Sequence, residues 1–329
     1  MTTFQAFRIH NDDAGYRAGI EDMTTDDLSA GEVLVKVAYS SVNYKDALAG
    51  TGKGKILRRF PLNGGIDLAG HVAATTDPAF KEGDEVLCTG CGLSETRDGG
   101  YAGYARLESK WTIPLPAGLT LRESMALGTA GFTAALALWQ MVRNGQTADM
   151  GPIVVTGATG GVGSLAIDIL TQAGFEAHAI TGKVEQFDYL IGLGAKQCIA
   201  REGLYWGQRP LESAHWAGAI DNVGGDMLAG LTRVIRPYGN IAICGNAASI
   251  ELATTVMPFI LRGLSLLGVA SAGTARAIRE EIWRHLADDW KPAQLATIAN
   301  REVDMATLPQ VFDTMLAGRS HGRTIVRIA

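Results

Sequence analysis

The sequence has few cysteines and no long apolar run. Its four cysteines, Cys88, Cys91, Cys198 and Cys244, are too few and too scattered for a disulfide framework in a chain of 329 residues. No stretch of 18 uncharged apolar residues occurs, and the N-terminal segment carries acids instead of an apolar core. We therefore expect a cytoplasmic protein with no leader peptide and no membrane partner.

An excess of positive charge is also lacking. The 29 Lys and Arg residues are outnumbered by 34 Asp and Glu residues, and the formal net charge is −5. The basic residues look scattered along the chain, so no positive field would attract a phosphodiester backbone. Nucleic acid is excluded as a partner, and a small-molecule substrate is expected.

Glycine, by contrast, is abundant. The chain has 41 glycines and 10 prolines without a collagen repeat, which indicates many tight turns and close backbone approaches. Hydrophobic residues make up 47% and charged residues 19%, a balance typical of a globular protein. The length exceeds what one hydrophobic core usually organises, so we expect two domains.

The pattern of apolar residues changes along the chain. Short alternations such as Glu32–Ala38 predict strands of a small barrel up to about residue 120. A capping-box pattern, Thr120 with Glu123, then predicts the start of an apolar helix. From Ile153 to Val269 strands and helices alternate, which predicts a parallel sheet covered on both faces. The last segment, Arg323–Ile328, alternates as a strand and is expected to return to the first domain.

A glycine-rich turn follows the first strand of this alternating region. The strand Ile153–Thr156 runs into Gly-Ala-Thr-Gly-Gly-Val-Gly and then into a helix. Glycines there let the backbone approach a diphosphate, and amides at the helix start point at its oxygens. The predicted dinucleotide-binding residues are Thr159, Gly160, Gly161, Val162 and Gly163. The alternative is a purely structural glycine turn.

The end of the second strand indicates which dinucleotide is bound. An NAD enzyme places Asp or Glu there for the ribose 2′-hydroxyl, whereas this chain has Thr181, Gly182 and Lys183. No acid would repel a 2′-phosphate, and Arg201 at the end of the third strand could add a guanidinium to the same phosphate. The sequence therefore favours NADPH as the cofactor. The alternative is that Lys183 and Arg201 are solvated surface charges.

Several motifs occur in a fixed order along the whole chain. They include SVNYKD at 41–46, GIDLAG at 65–70, GTAGFTA at 128–134, DNVGG at 221–225 and GRT at 322–324. With the glycine-rich turn, they make the chain resemble the medium-chain dehydrogenase/reductase superfamily. Within it, the chain resembles the zinc-free quinone-oxidoreductase-like group that includes the acryloyl-CoA reductases of the YhdH/YhfP type.

The resemblance implies an α/β fold of two domains. A GroES-like β-barrel catalytic domain, residues 1–124 completed by 272–329, would surround an inserted Rossmann domain, residues 125–271, with a doubly wound parallel sheet. Relatives of alcohol dehydrogenase hold zinc, but Cys88 and Cys91 form a single CxxC and His71 has no cysteine-rich neighbourhood. We expect no metal. The cysteines would be small apolar thiols, and His71 a barrel residue.

Without zinc, the expected chemistry is hydride delivery from NADPH to an activated double bond. Tyr44 is the first candidate to contact nicotinamide or the substrate carbonyl, at the expected mouth of a cleft. Asn43 and Lys45 would hold the enolate or the cofactor, and Asp46 would orient Lys45 or Tyr44. Alternatively, Asn43 and Asp46 cap a helix that begins near Tyr44. Arg323 would approach a phosphate or the thioester, or pair with a surface acid.

The resemblance also implies residues on the nicotinamide side. Asn246, Ile260 and Ser271 follow the fifth strand and bracket the sixth, where such sheets bind ligands at their carboxyl ends. Thr129 matches a family position near the cofactor, although its neighbours could equally serve packing. These four residues complete the predicted cofactor site.

The function predicted is an NADPH-dependent reductase of activated C=C bonds, with acryloyl-CoA or another small enoyl thioester as substrate. The nearest rival is an NADPH:quinone oxidoreductase. A non-catalytic NADPH-binding sensor or structural protein is the alternative from another class. The apolar strand Leu264–Val269 could pair with its counterpart in a second copy, so we expect a homodimer.

Overall fold

The computed structural model describes residues 2–328. The chain divides into two compact units: unit 1 consists of Met1–Thr129, Ala272–Ala287 and Leu295–Ala329, and unit 2 of Ala130–Ser271 and Asp288–Gln294. The boundaries expected from sequence were 124/125 and 271/272. The first lies five residues later in the structure, and the short segment 288–294 belongs to unit 2, where the Asp168 carboxylate accepts hydrogen bonds from the Ala293 and Gln294 amides at 3.1 and 2.7 Å.

The secondary structure elements, in chain order, are β1 Thr3–Asp12, β2 Gly15–Thr24, β3 Val33–Ser41, α1 Tyr44–Thr51, β4 Leu62–Asn63, β5 Asp67–Thr75, β6 Glu85–Thr89, β7 Tyr104–Leu107, β8 Ile113–Pro114, α2 Leu121–Arg143, β9 Ile153–Thr156, α3 Gly161–Gln172, β10 Ala177–Thr181, α4 Phe187–Gly192, β11 Gln197–Ala200, β12 Trp216–Asp221, α5 Gly225–Val234, β13 Ile235–Ile243, α6 Met257–Arg262, β14 Ser265–Gly268, α7 Arg276–Ala287, α8 Leu295–Ile298, β15 Arg301–Val303, α9 Leu308–Leu316 and β16 Thr324–Arg327.

Unit 1 is built from two sheets. A three-stranded sheet has the order β2-β1-β4, and a seven-stranded sheet has the order β15-β16-β3-β5-β6-β8, with β7 paired to β3. The C-terminal strand β16 pairs antiparallel with β3, Ile325 opposite Ser41, so the tail returns to this unit as the sequence predicts. Helix α1 packs with α9 over a buried apolar cluster that includes Leu57, Tyr101 and Phe312.

Helix α2 begins as predicted and then breaks. The Glu123 amide donates to the Thr120 hydroxyl at 3.1 Å, and the Thr120 amide donates to the Glu123 carboxylate at 2.9 Å, which is a capping box. At Gly128 the backbone leaves the helical region, with φ +52 and ψ −153. Of the described helices, α2 alone is long and apolar enough to cross a membrane, and 78% of its most apolar window is buried inside the protein, as in the core helix of a soluble protein.

Unit 2 is organised by one six-stranded sheet in the order β11-β10-β9-β12-β13-β14. Every pairing in it is parallel. Counted from β9, the strand order is 3-2-1-4-5-6, that of a doubly wound Rossmann fold, and the order reverses between β9 and β12. The sequence-based expectation for this region is confirmed. Ligands of such sheets bind beyond the carboxyl ends of the strands, where β9, β10 and β12 end in Thr156, Thr181 and Asp221.

Candidate cofactor and active sites

The glycine-rich turn lies between β9 and α3, as predicted. Gly157 adopts φ +58, and the Gly160 amide donates to the Gly157 carbonyl at 2.9 Å. A Cβ at Gly163 would lie 2.4 Å from the same carbonyl oxygen, so only glycine lets α3 pack this closely on the turn. The first amides of α3, at Gly161 and Val162, have no partner within the helix. The turn therefore offers a side-chain-free cradle with free donors, which fits a diphosphate.

The turn is tied to the end of the neighbouring strand β10. The hydroxyl of Thr159 lies 3.3 Å from that of Thr181, and both side chains are buried. The Ala158 amide donates to the Ile180 carbonyl at 3.1 Å. The predicted diphosphate and ribose regions are thus joined by direct contacts within unit 2.

A cationic corner forms at the carboxyl ends of β10 and β11. The Arg201 amide donates to the Thr181 carbonyl at 2.8 Å, and a Cβ at Gly182 would lie 2.9 Å from an Arg201 guanidinium nitrogen. The Lys183 amide donates to the Thr181 hydroxyl at 3.1 Å. Burial lowers the pKa of Lys183 from its usual value, while Glu185 acts in the opposite sense. Gly182 thus has the Arg201 guanidinium directly over it, and the segment Thr181–Lys183 contains no acid.

The switch point between β9 and β12 is held by Asp221. Its carboxylate accepts hydrogen bonds from the Thr156 hydroxyl at 2.6 Å and the Gly224 amide at 2.8 Å. The Asn222 side chain donates to the Thr156 carbonyl at 2.8 Å. Burial raises the pKa of Asp221, which these hydrogen bonds oppose. The DNVGG motif, to which the sequence alone assigns no role, thus fixes the carboxyl ends of β9 and β12 next to the glycine-rich turn.

The other residues predicted on the nicotinamide side differ in their placement. Asn246 follows β13 and is exposed. Its Cα lies 3.4 Å from the position that a Cβ on Gly224 would take, so Asn246 lies at the switch point. Ser271 begins a short 3₁₀ turn after β14. Ile260 lies on α6 and is 70% exposed. Contact of these residues with nicotinamide stays a prediction.

Unit 1 contains a buried polar cluster centred on Asp67. This Asp67 cluster consists of Ser41, Asn43, Asp46, Asp67, Thr129 and Arg323. The Asp67 carboxylate accepts hydrogen bonds from the Ser41 hydroxyl at 2.6 Å, the Asn43 amide side chain at 2.8 Å and the Thr129 backbone amide at 2.9 Å. The Thr129 hydroxyl also donates to it, at 2.5 Å. Asp67 is fully buried, so these donors replace the water that the carboxylate loses on folding.

Arg323 lies inside the cluster. The side chain is 4% exposed. Its guanidinium donates to the Val42 carbonyl at 2.8 Å, to the Asn43 side-chain oxygen at 3.1 Å and to the Ser41 hydroxyl at 2.7 Å, and lies 3.8 Å from Asp67. The structure corrects the reading that Arg323 pairs with a surface acid, because the nearby acid is the buried Asp67. The guanidinium holds the loop before α1, and contact of Arg323 with a phosphate or thioester stays a prediction.

Asp46 also points inward. Its carboxylate accepts hydrogen bonds from the Asn43 backbone amide at 2.8 Å, the Asn43 side chain at 3.1 Å and the Ile66 amide at 2.9 Å. It does not orient Lys45 or Tyr44, as the catalytic reading expected, but caps α1, as the alternative reading had it. Burial, and then the like charge of Asp67, raise the pKa of Asp46 to about 7. The carboxyls of Asp46 and Asp67 are accompanied by one guanidinium, that of Arg323. The protonated form of Asp46 is therefore favoured.

Tyr44 and Lys45 occupy the first turn of α1, at the surface of unit 1. The Tyr44 side chain is 52% exposed, so its hydroxyl is available to a ligand. The Lys45 ammonium forms an ion pair with Glu95, which makes it a structural partner of the turn at 95. Of the four residues proposed at this mouth, Tyr44 is the one that the geometry leaves open to substrate.

The residues of the chain do not fit a zinc site. Within residues 2–328, no three His, Cys, Asp or Glu side chains gather as a metal site would require. Cys88 and Cys91 are buried thiols, and mutual hydrogen bonding raises the pKa of Cys88 and lowers that of Cys91. His71 is half-exposed on β5 with Glu85 at 3.6 Å. A structural zinc needs four ligands, and Cys88, Cys91 and His71 do not supply them.

The fold and these sites define a two-unit oxidoreductase of the dinucleotide-binding class. Residues 29–117 match the model of the alcohol dehydrogenase GroES-like domain, and residues 161–288 match that of the zinc-binding dehydrogenases. The chain is 44% identical over 328 residues to the putative quinone oxidoreductase YhfP of Bacillus subtilis, with 99% of both chains covered. It belongs to the quinone-oxidoreductase-like family of medium-chain dehydrogenases/reductases.

Two further comparisons refine this position. The probable acrylyl-CoA reductase AcuI of Escherichia coli is 41% identical over 98% of this chain and 99% of its own. The yhdH oxidoreductase of Salmonella enterica, solved in complex with NADP, superposes with a TM-score of 0.95 at 43% identity, covering 99% of this chain and 100% of its own. The solved structure of YhfP has NAD bound and a TM-score of 0.96, with the same coverage and identity.

The raised pKa of Asp46 predicts a pH-dependent stability. A carboxyl whose folded pKa lies above its unfolded value stabilises the folded state below pH 4 and loses that contribution as pH rises through about 7. The wild type should lose up to about 4 kcal/mol of unfolding free energy from this group between pH 4 and 8. Asp46→Asn should lack this loss, measured by urea denaturation at several pH values. The exposed control Asp13→Asn should follow the wild type; an Asp46→Asn profile parallel to the wild type would contradict the assignment.

Proposed function

We propose that the protein is an NADPH-dependent reductase of activated C=C bonds, acting on small enoyl thioesters of the acryloyl-CoA kind. The observation that carries the proposal is the cationic corner of Lys183 and Arg201 beside a diphosphate cradle. Identity above 40% along the whole chain to a probable acrylyl-CoA reductase supports the substrate class.

NADPH, when bound, supplies a hydride. The glycine-rich turn would hold its diphosphate, and Thr181, Lys183 and Arg201 would hold the 2′-phosphate of its adenosine. Both cations lie at the end of the second and third strands of the parallel sheet. Because Asp or Glu at this position would repel the 2′-phosphate, the segment Thr181–Lys183 favours the phosphorylated cofactor.

The chain itself would act on the acceptor through Tyr44. Hydride addition to the β-carbon of a C=C–C=O group places negative charge on the carbonyl oxygen, and a hydrogen-bond donor aimed at that oxygen lowers the barrier. The exposed Tyr44 hydroxyl is such a donor. Asn43 and Asp46 cap the start of α1, the helix that carries Tyr44, so the role we propose for them is structural.

The product and the route of the hydride test this function. With acryloyl-CoA and NADPH deuterated at the transferable position, we expect propionyl-CoA that carries deuterium at the β-carbon, detected by mass spectrometry under anaerobic conditions. Turnover of a quinone to hydroquinone without thioester reduction would show the rival quinone reductase, which the relative named as a quinone oxidoreductase favours. Tight NADPH binding with no turnover of enones, thioesters or quinones would indicate a non-catalytic sensor.

The cationic corner gives a second prediction. Lys183→Glu should raise the Kd of NADPH by about 100-fold, because it replaces an attraction to the 2′-phosphate by a repulsion, and should change the Kd of NADH by less than about threefold. Isothermal calorimetry with both nucleotides measures this. The exposed lysine of the same unit, Lys196→Glu, is the matched control and should leave both affinities near wild type. Equal losses for NADPH and NADH would refute the 2′-phosphate assignment.

We also propose that two copies associate through unit 2. Strand β14 ends the six-stranded sheet, and exposed apolar side chains lie nearby in sequence at Val256, Ile260 and Leu261. An unpaired edge flanked by an apolar patch is a surface that proteins usually cover. A second copy would extend both sheets across a two-fold axis.

The dimer has a direct test. Light scattering after size exclusion should give twice the chain mass for the wild type and one chain mass for Ile260→Glu/Leu261→Glu, because buried carboxylates would oppose association. The control Val184→Glu/Ile191→Glu alters two exposed apolar residues elsewhere in unit 2 and should stay dimeric. A wild type with the mass of one chain would end this proposal.

We propose that the protein is located in the cytoplasm. Its support is chemical: the four cysteines are all free thiols, as is usual where thiols are kept reduced.

A further inference from the structure

The basic residues are not evenly scattered along the chain as the sequence suggested, because several of them lie in one loop after α1. From Ala47 to Ile66 the chain has no acid, although its net charge is −5. This basic loop, residues 52–60, carries Lys53, Lys55, Arg58 and Arg59, and all four side chains are exposed. It is a concentrated positive surface on an acidic protein.

The cations of the basic loop are not neutralised by carboxylates. In the described part of the chain, the side chains of Lys53, Lys55 and Arg58 make no ion pair or hydrogen bond. Arg59 donates to the Thr96 carbonyl at 2.8 Å and to the Ser29 hydroxyl at 2.7 Å, neither of which carries charge. Four positive charges therefore remain available to an anion.

The backbone of the basic loop is held at both ends. Helix α1 ends at Gly52 with φ +70, where a Cβ would lie 2.9 Å from the Tyr16 ring. Leu57 is buried in the apolar cluster of unit 1, and the Arg58 amide donates to the Glu95 carbonyl at 2.8 Å. Because the loop backbone is fixed before any ligand arrives, binding costs little backbone conformational entropy.

The basic loop also adjoins the residue proposed to meet the substrate carbonyl. Glu95, whose carbonyl holds Arg58, pairs through its carboxylate with Lys45, the neighbour of Tyr44. The eight residues of α1 separate Tyr44 from the start of the loop by about 12 Å. A substrate with its reactive group at Tyr44 and an anionic group one short arm away would reach these charges.

We propose that the basic loop binds the phosphorylated adenosine end of a coenzyme A thioester, its 3′-phosphate and diphosphate. This inference rests on the proposed function and specifies how that substrate is held. An acryloyl group is small and uncharged, so it needs no cations, whereas coenzyme A carries a phosphomonoester and a diphosphate at the far end of its pantetheine arm. Contacts to such a remote part of a substrate, made equally in the ground state and the transition state, lower KM without changing kcat.

Truncated substrates test the proposal. We would compare acryloyl-CoA, acryloyl-dephospho-CoA and acryloyl-pantetheine on the wild type and on Lys53→Gln/Lys55→Gln/Arg58→Gln. The triple variant should raise KM for acryloyl-CoA about 10-fold with kcat nearly unchanged, because exposed ion pairs contribute to binding and not to the chemical step. It should raise KM less for the dephospho compound, and leave KM for acryloyl-pantetheine and for NADPH within about twofold.

A matched control keeps the charge change constant. Lys36→Gln/Lys81→Gln/Arg301→Gln also removes two lysines and one arginine that are exposed in unit 1, and should keep the wild-type KM for acryloyl-CoA. Raised salt should weaken acryloyl-CoA binding to the wild type more than to the basic-loop variant.

Equal KM values of the wild type for acryloyl-CoA and acryloyl-pantetheine would overturn the proposal while leaving the reductase function intact. If the triple variant changed KM only for acryloyl thioesters on an acidic carrier protein, and not for acryloyl-CoA, the proposal would also be overturned.

Binding without turnover separates this inference from the proposed function. Calorimetry with 3′,5′-adenosine bisphosphate, the free nucleotide end of coenzyme A, should show uptake by the wild type and about 10-fold weaker uptake by the basic-loop variant. If no thioester is reduced but this difference is found, the reductase assignment falls and the nucleotide site stands. If both proteins bind the bisphosphate equally or not at all, the site is refuted even in an active reductase.

Discussion

The buried carboxylate of Asp67 imposes the arrangement of the segments around the start of α1 in unit 1. An acid with no access to water must be surrounded by donors, and here they come from distant parts of the chain: Ser41 and Asn43 before α1, Thr129 at the break of α2, and Arg323 before the last strand. The same crowding explains why glycine stands at this break. A Cβ at Gly128 would stand 2.6 Å from the Asp67 carboxylate and 2.7 Å from the Arg323 guanidinium.

The placement of individual charges in this protein tells more about its ligands than its net charge does. The chain is acidic overall, yet it has a cationic corner at Lys183 and Arg201 in unit 2 and a basic loop in unit 1. The buried acids, by contrast, are satisfied internally: Asp221 at the switch point and Asp168 beneath residues 293–294 both accept backbone amides. We thus propose phosphates as partners of the accessible cations, whereas the buried carboxylates bind amides and hydroxyls of the protein itself.

The relatives divide on the two questions that family membership leaves open. One is named a putative quinone oxidoreductase and has a structure with NAD, and others are named acrylyl-CoA reductases or are solved with NADP. A shared fold does not settle such differences, because function resides in particular side chains. For this chain, the residues that we propose to decide the cofactor are Thr181, Lys183 and Arg201, and those that we propose to decide the substrate are Tyr44 and the basic loop.

The sequence by itself determined those features whose signals are local. The capping box at Thr120, the strand, turn and helix around Gly160, and the alternation of strands and helices after it each depend on neighbours within a few residues, and all formed where expected. Only the tertiary structure decided the role of Arg323 and the burial of Asp46. The Ser41 hydroxyl that Arg323 contacts lies 282 residues away, and the Ile66 amide that donates to Asp46 lies 20 residues away. Burial, which no local pattern specifies, makes both side chains internal supports, because a charged group removed from water must bind the protein around it.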